Sequence, residues 1–259
     1  MYKLIDTHCH LYLEEFKSDL NEVVKRAEAE GVSQFLMPAI DSTETNNLLE
    51  AEARFKGQCI PMMGLHPCSV KENYAVELLM VEEWFKKRSF AAVGDIGLDY
   101  YWDLTFKEQQ WMAFEKQIHL SVKYGLPIVI HSRNSLDDCI EMVTNFKGKA
   151  RGIFHCFSGS LEQANAIINL GFYLGIGGVV TYKNAGLAEV VREISLDHIV
   201  LETDAPYLTP VPFRGKRNES SYLKYVVQKL VEIKNISREE VARITTENAK
   251  KVFNTAIVH

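Results

Sequence analysis

Two histidines stand one residue apart near the start of the sequence, in the stretch LIDTHCHL at residues 4–11. In an extended strand, alternate side chains point to the same side, so His8 and His10 project together behind the apolar Leu4 and Ile5. Two imidazoles aimed at one point from a strand end can bind a single metal ion. A chance pair on a solvated edge is the alternative, and the motif alone does not decide between the two.

Further histidines and carboxylates follow the later apolar runs of the chain. In a parallel β/α barrel the carboxyl ends of the strands meet at one mouth, where active sites lie. These positions therefore predict one shared site, whereas His119, His198 and His259 lie elsewhere and are expected to be ordinary surface or core residues. The residues predicted at strand ends are His8, His10, His66, Asp95, His131, His155, Glu202 and Asp204.

Four imidazoles and two carboxylates at one mouth are more ligands than one tetrahedral zinc needs. They suit two divalent ions about 3.5–4 Å apart, which lower the pKa of a bound water and neutralise charge on an attacked carbonyl or phosphoryl group. Asp204 could accept the proton of that water, so the set predicts hydrolysis without naming the bond. The expected assignment is His8, His10 and Asp204 for one ion, His131 and His155 for the other, and Asp95 as the bridge.

Short apolar runs alternate with amphipathic helical stretches along the whole chain. Eight such strand–helix units, with nearly continuous apolar strands, are typical of parallel β/α structure. A length of 259 residues suits one barrel better than two small domains. The sequence therefore predicts an α/β fold, a TIM (β/α)8 barrel, as a single domain over residues 1–259. A doubly wound sheet is the alternative.

Composition narrows the class of protein. The formal net charge is −5, so no global positive field attracts nucleic acid or an anionic membrane, and an anionic substrate needs local cations or metal. The five cysteines are dispersed without CxxC spacing, which argues against a disulfide framework and predicts a reducing, cytoplasmic environment. No apolar run approaches the roughly 18 residues that span a membrane, and the start MYKLIDTHCH does not resemble a signal peptide.

Seven motifs occur in an order that resembles the TatD-type metal-dependent deoxyribonucleases. They are DTHCHL, GLHP, GDIGLDY, PIVIHSR, HCFSGS, LETDAPYL and RGKRNE. The resemblance implies an amidohydrolase-like barrel with divalent metal at the strand ends. It also implies a two-metal phosphodiesterase that acts on DNA, often as a 3′–5′ exonuclease preferring single strands. The residues do not choose among Mg²⁺, Mn²⁺ and Zn²⁺, since imidazoles favour zinc while carboxylates and a phosphate substrate admit the other two.

One position departs from the family pattern. The family normally has glutamate in GEIGLD, whereas this chain has Asp95, whose side chain is one carbon–carbon bond, or about 1.5 Å, shorter. The shorter side chain puts the bridge in question, and three alternatives to it are open: Asp95 binds one ion only, binds through water, or leaves the second site weak. The family positions that agree with those read from strand ends are His8, His10, His131, His155 and Asp204.

Cations near the mouth are candidates for phosphate recognition. Arginine forks match phosphate oxygens, and Arg133 and Arg214 correspond to the family's HSR and RGK, so we expect them to contact substrate. For Lys216 and Arg217, substrate contact and an ordinary solvated loop are equally open. The family's NEP is NESS here, which leaves the shape of that loop undetermined.

Other residues near the predicted site have different expected roles. His66 is expected to contact a substrate phosphate, with support of a metal ligand as the alternative, and Glu202 is expected to support a metal ligand. Tyr100, Tyr101 and Trp102 could stack on bases or pack the loop after the fourth strand, and both readings stay open. The residues expected in the core of the following helix are Trp111, Phe114 and Ile118.

Three functions compete at this stage. The first is a metal-dependent nuclease with DNA as substrate and no obligate protein partner. The second keeps the metals but hydrolyses a small molecule, as an amidohydrolase or deaminase. The third is a non-catalytic barrel that binds nucleic acid or protein, which a weakened bridge at Asp95 would favour. Salt dependence separates the first two, because phosphate recognition weakens steeply as salt rises.

Overall fold

The computed structural model describes residues 3–253, which form eight β-strands and nine α-helices. The strands are β1 (Leu4–Asp6), β2 (Val32–Pro38), β3 (Cys59–Met62), β4 (Val93–Asp99), β5 (Ile128–Arg133), β6 (Gly152–Phe154), β7 (Tyr173–Ile176) and β8 (Ile199–Leu201). The helices are α1 (Leu20–Ala29), α2 (Thr45–Arg54), α3 (Tyr74–Lys87), α4 (Lys107–Tyr124), α5 (Leu136–Thr144), α6 (Leu161–Asn169), α7 (Leu187–Glu193), α8 (Leu223–Lys234) and α9 (Arg238–Val252). The terminal His259 lies outside the described residues.

The strands are parallel and follow one another in chain order. They pair as β1-β2-β3 and as β4-β5-β6-β7-β8. A parallel bridge between Met63 and Val93 connects β3 to β4, and the Thr7 amide donates to the Leu201 carbonyl at 2.9 Å, which connects β1 to β8. These contacts complete a TIM-barrel-like ring, so the predicted fold class is confirmed. That residues 1–259 form a single domain stays a prediction.

Alternation along the strands explains how the barrel aims polar side chains at its mouth. Side chains two residues apart share a face, so His131 follows the buried Val129, and His155 follows the buried Ile153. Helix α9 closes the opposite end of the barrel, where Asn248 donates to the carbonyls of Leu196 and Ile199. The packed interior cluster includes Ile5, Leu36, Met62, Val129, Ile153, Val200, Ala249, Val252 and Phe253.

The helices cover the outside of the barrel with one apolar face each. In α1 the spacing of Leu20, Val23, Val24 and Ala27 predicts a buried stripe, and all four side chains are buried. The core assignment in α4 is also confirmed, because Phe114 and Ile118 are buried and the half-buried Trp111 packs against the core cluster that contains them. His119 is exposed on the other face of α4, and His198 precedes β8, as expected. Among residues 3–253, the structure contains no helix with the length and apolarity to cross a membrane.

Candidate metal centre

The predicted ligands converge at the mouth of the barrel, although they come from five different strands. The prediction that Asp95 ends its strand is wrong, because β4 continues to Asp99. Asp95 lies within β4 at a point where the register with β5 shifts between Val93 and Ile96. Such irregularities re-aim side chains beside active sites, which explains how an aspartate in mid-strand reaches the mouth. The side chains brought together are His8, His10, Asp95, His131, His155 and Asp204.

One group of donor atoms gathers around His8. Its Nε2 lies 3.3 Å from Nε2 of His10, 3.3 Å from Oδ2 of Asp95 and 3.6 Å from Oδ1 of Asp204. The same Asp204 oxygen lies 3.7 Å from Nε2 of His10. All four side chains are buried or nearly so. They form the first ligand group, which is the set predicted for one ion with Asp95 added.

A second group of donor atoms lies beside the first. Nδ1 of His131 is 3.3 Å from Nε2 of His155, and that nitrogen is 3.4 Å from Oδ1 of Asp95. Asp95 therefore turns one carboxylate oxygen toward each group. The shorter side chain does not prevent Asp95 from facing both groups.

The separations within both groups fit divalent ions. Ligand atoms about 2.1 Å from a tetrahedral ion are about 3.4 Å apart, which matches the distances around His8 and His155. Oδ1 of Asp95 is buried and has no hydrogen-bond partner among the described residues. A buried charged oxygen without a partner is costly, and a cation would satisfy it. The residues present therefore fit the metal dependence that the motifs imply.

Two neighbouring contacts fix which imidazole nitrogen faces the centre. Tyr12 donates its hydroxyl hydrogen to the Pro38 carbonyl at 2.7 Å, so at 3.1 Å it must accept a hydrogen bond from Nδ1–H of His10. Nε2–H of His131 donates to Oδ2 of Asp99 at 2.9 Å. Each arrangement leaves the nitrogen that faces the centre free of hydrogen, as metal binding requires.

His66 has the opposite arrangement. Its Nδ1 accepts the backbone N–H of Cys68 at 3.1 Å, so the hydrogen of the neutral ring must be on Nε2. Burial, followed by the nearby His131, lowers the pKa of His66 to about 3, which keeps the ring neutral. Nε2 lies 3.3 Å from Nδ1 of His131 and 3.7 Å from Oδ2 of Asp95, and it presents a hydrogen-bond donor there. This favours the substrate-side interpretation of His66, because a nitrogen that carries hydrogen can donate to a substrate oxygen.

Glu202 lies buried behind His155. Its Oε1 is 3.7 Å from Nδ1 of His155 and accepts the backbone N–H of Cys156. A Cβ at Gly175 would lie 2.2 Å from Oε2 of Glu202, so only glycine leaves room for this carboxylate. Glu202 therefore lies beside Nδ1 of His155, the ring nitrogen that points away from the centre, which fits the predicted supporting role.

The acidic side chains make the centre favourable for positive charge. Although burial acts in the opposite direction, Asp95 and Glu202 raise the pKa of His155 to about 10. Burial alone would raise the pKa of Asp95, but His155 and His8 hold this pKa well below its ordinary value. Burial raises the pKa of Asp204 and lowers that of His10. A divalent cation would replace the proton that His155 otherwise attracts.

The sequence reasoning missed two residues of this site. Asp99 ends β4 and orients His131, and Tyr12 orients His10 across the mouth. Asp99 stands in the motif GDIGLDY and could have been noticed as a carboxylate at a strand end. Tyr12 gives no such signal, because an isolated tyrosine after a histidine pair is not distinctive.

The predicted substrate arginines lie exposed at the mouth side of the barrel. Arg133 ends β5, two residues after His131, and Arg214 stacks on the ring of Tyr182 at 4.2 Å from its centroid. Neither forms a salt bridge with a carboxylate of residues 3–253, whereas Arg217 does, at 2.7 Å from Oδ2 of Asp19. Arg217 therefore has a structural role.

The loop after β8 is held by buried hydrogen bonds. Asn218 is buried and donates to the carbonyls of Thr203 and Tyr207 at 2.8 and 2.6 Å. Lys216 is exposed and lies over the ring of Phe213 at 5.7 Å. Of the two residues left open by the sequence, Lys216 alone remains available to a ligand.

The comparison with protein-family models gives one match that covers nearly the whole chain. The model described as TatD related DNase matches residues 5–254. The chain belongs to the TatD family. The expected resemblance is confirmed.

Relatives within the TatD family cover the chain from end to end. The metal-dependent hydrolase YabD of Bacillus subtilis is 41% identical over 252 residues, which cover 96% of this chain and 98% of YabD. The metal-dependent hydrolase YcfH of Escherichia coli is 30% identical and covers 97% of this chain and 96% of its own length. The crystal structure of the E. coli TatD homolog YjjV superposes with a TM-score of 0.92 at 30% identity, over 97% of this chain and 98% of YjjV. This chain is therefore a metal-dependent hydrolase of the TatD family.

Proposed function

We propose that this protein is a metal-dependent deoxyribonuclease that hydrolyses phosphodiester bonds of single-stranded DNA. The observation that carries the proposal is the position of Asp95, with one oxygen toward each of two ligand groups 3.3 and 3.4 Å away. Two adjacent cation sites of this kind suit displacement at phosphorus, where both the attacking and the leaving oxygen carry charge. The family name supports the same substrate class, as do two arginines at the mouth that have no carboxylate partner within residues 3–253.

Each residue has a distinct role in this proposal. His8, His10 and Asp204 would hold one ion, His131 and His155 the other, with Asp95 between them. The ions would supply Lewis-acid activation of water and of the phosphoryl group. Asp204 is the catalytic carboxylate that accepts the proton of the attacking water. His66 donates its Nε2–H to an oxygen of the phosphoryl group, since this hydrogen already points into the centre.

The cations at the mouth favour a phosphodiester over an uncharged small molecule. Arg133 is the last residue of β5 and Arg214 lies in the loop after β8, so the two arginines come from different strands of the barrel. A polyanionic strand that crosses the mouth would pair with both guanidinium groups, which have no carboxylate partner among residues 3–253. We expect cleavage to begin at a 3′ end, in a protein that acts in the cytoplasm.

The experiment that tests this function uses metal-stripped protein. Mg²⁺, Mn²⁺ or Zn²⁺ is added back, and hydrolysis of a single-stranded oligonucleotide labelled at either end is followed by gel electrophoresis. We expect metal-dependent loss of nucleotides from the 3′ end that falls steeply as salt rises. Hydrolysis of an uncharged amide or ester, with DNA untouched under all three metals, would contradict the proposal. Binding of DNA without turnover under any metal would favour the non-catalytic reading.

A further inference from the structure

Two large aromatic side chains extend into solvent from the loop that follows β4. Tyr101 is 53% exposed and Trp102 is 69% exposed, and their rings meet edge to face with centroids 4.8 Å apart. Aromatic side chains carry the largest apolar areas of any residues and are mostly buried in folded proteins. An exposed pair beside a catalytic centre therefore points to a ligand that covers it.

A cation completes this surface. The guanidinium carbon of Arg133 lies 3.7 Å from the ring centroid of Tyr101 and 5.2 Å from that of Trp102. We call Tyr101, Trp102 and Arg133 the aromatic platform. The exposed surfaces of the two rings, together with a guanidinium that has no carboxylate partner among residues 3–253, match a planar base that is attached to a phosphate.

One carboxylate connects the aromatic platform directly to the metal centre. Oδ2 of Asp99 accepts from Nε2 of His131 at 2.9 Å, and Oδ1 of Asp99 accepts from the backbone N–H of Tyr101 at 2.9 Å. The N–H of Trp102 lies 3.4 Å from the same Oδ1. The platform is therefore a single side chain away from a predicted metal ligand, within reach of a nucleotide whose phosphate lies at the centre.

The loop that carries the aromatic platform is anchored at several points. The hydroxyl of Tyr100 donates to Asp138 at 2.7 Å and accepts the indole N–H of Trp111 at 2.7 Å. Asp103 pairs with Lys71 at 3.0 Å. Tyr100 therefore packs the loop, and these contacts hold the two exposed rings in place before a ligand arrives. A preformed surface loses little conformational entropy when a ligand binds.

We propose that the aromatic platform stacks an unpaired base of the DNA strand next to the phosphate that is cleaved. This inference rests on the proposed function and adds the binding site for the neighbouring nucleotide. Every base has a π-face, so stacking of this kind tolerates any sequence. Bases inside a duplex are stacked on each other and cannot reach the rings. The platform therefore selects single-stranded ends.

The test compares Tyr101→Ala and Trp102→Ala with wild type in the metal-loaded protein. The probe is a fluorescein-labelled phosphorothioate oligonucleotide, which binds without being cleaved, and its Kd is measured by anisotropy. Each variant is expected to raise Kd about 5- to 100-fold, as the loss of a stacked base does. Leu104→Ala is the matched control, because Leu104 is 58% exposed on the same loop but has no ring face. Trp102→Phe should restore most of the affinity.

An oligonucleotide that lacks one base distinguishes the loss of stacking from damage to the fold of the variant. A single abasic position is moved along the oligonucleotide, and at one position wild type should lose affinity about as much as Trp102→Ala does. At that position the difference between wild type and Trp102→Ala should vanish. Equal Kd values for wild type, Tyr101→Ala and Trp102→Ala on the intact oligonucleotide would overturn the platform, as would a wild type that does not bind it. Failure of the proposed function is distinct, because it would appear as tight, ring-dependent binding without cleavage of the unmodified strand.

Discussion

Nε2–H of His131 donates a hydrogen bond to Oδ2 of Asp99 at 2.9 Å, and this contact determines which nitrogen of His131 faces the metal centre. Despite the opposing effect of burial, the same contact lowers the pKa of Asp99 to about 2, so the acceptor is ionised at neutral pH. Tyr12 likewise accepts a hydrogen bond from Nδ1–H of His10, which determines which nitrogen of His10 faces the metal centre. Each ligand group therefore contains a histidine that is held in its binding tautomer by a neighbour.

We expect Asp99→Ala to weaken binding of one of the two ions by about 10- to 100-fold, because His131 loses the acceptor that orients it. Calorimetric titration of metal-stripped protein measures the two binding steps separately. Tyr12→Phe is the paired variant, since it removes the acceptor of His10 and should weaken the other step. An Asp99→Ala titration that superposes on that of wild type would show that the contact does not orient a ligand.

His66→Phe should leave metal binding at two equivalents and lower kcat/KM on DNA by about 10²- to 10³-fold. The reason is that Nε2 of His66 carries hydrogen and therefore contributes a donor to the transition state rather than a metal ligand. The matched control is His119→Phe on the exposed face of α4, which should change neither quantity. Loss of one metal equivalent in His66→Phe would reassign His66 to the ligands.

Arg133→Met and Arg214→Met should each raise KM for single-stranded DNA and flatten its dependence on salt. Removal of one phosphate contact lowers the slope of log KM against log salt by about 0.7 to 1. The control is Arg243→Met on α9, where the guanidinium pairs with Glu240 away from the mouth. Unchanged slopes in both mouth variants would mean that the strand does not contact these arginines.

Arg26 holds the buried Glu219 of the loop after β8 with two hydrogen bonds of 2.9 and 2.6 Å. Burial alone would raise the pKa of Glu219, but Arg26 and Ser221 lower it below the ordinary 4.5. A depressed carboxyl pKa stabilises the fold above the unfolded value and loses that effect as pH falls through the folded value. Arg26→Met should therefore reduce the free energy of unfolding at pH 7 by about 1–3 kcal/mol.

Denaturant titrations at pH 7 and near pH 3 measure the effect of Arg26→Met. The difference from wild type should shrink at the lower pH, since Glu219 is then increasingly protonated in both proteins. Arg243→Met again serves as a control, because its exposed pair should contribute less than about 0.5 kcal/mol at either pH. A difference that is independent of pH would assign the effect of Arg26 to packing instead of charge.

Much of the barrel and most of the centre could be predicted from the sequence. Apolar runs mark the strands, and the carboxyl ends of parallel strands meet, so ligands such as His8 and His155 could be placed together without knowing a single contact. The same reasoning could not decide whether Asp95 reaches both groups. That depends on the register shift in β4, which arises from pairing with β5 and has no local sequence signal.

The sequence also could not reveal contacts that depend on the folded path of the backbone. Arg217 looked as available to DNA as Lys216, but it pairs with Asp19, which is 198 positions away. The hydrogen on Nε2 of His66 depends on the backbone N–H of Cys68 and hence on the local turn. Asp99 and His131 come together because β4 and β5 pair in a register that sets Asp99 opposite Arg133.

The central claim is that Asp95 joins two metal sites in one hydrolytic centre. The most direct measurement is the stoichiometry of metal binding to stripped wild type and Asp95→Asn, with DNA hydrolysis followed in the same titration. Wild type should bind two equivalents and reach full activity only at the second, whereas Asp95→Asn should lose both tight binding of the pair and hydrolysis. A wild type that saturates at one equivalent, with a second site and activity appearing only in Asp95→Glu, would contradict the account.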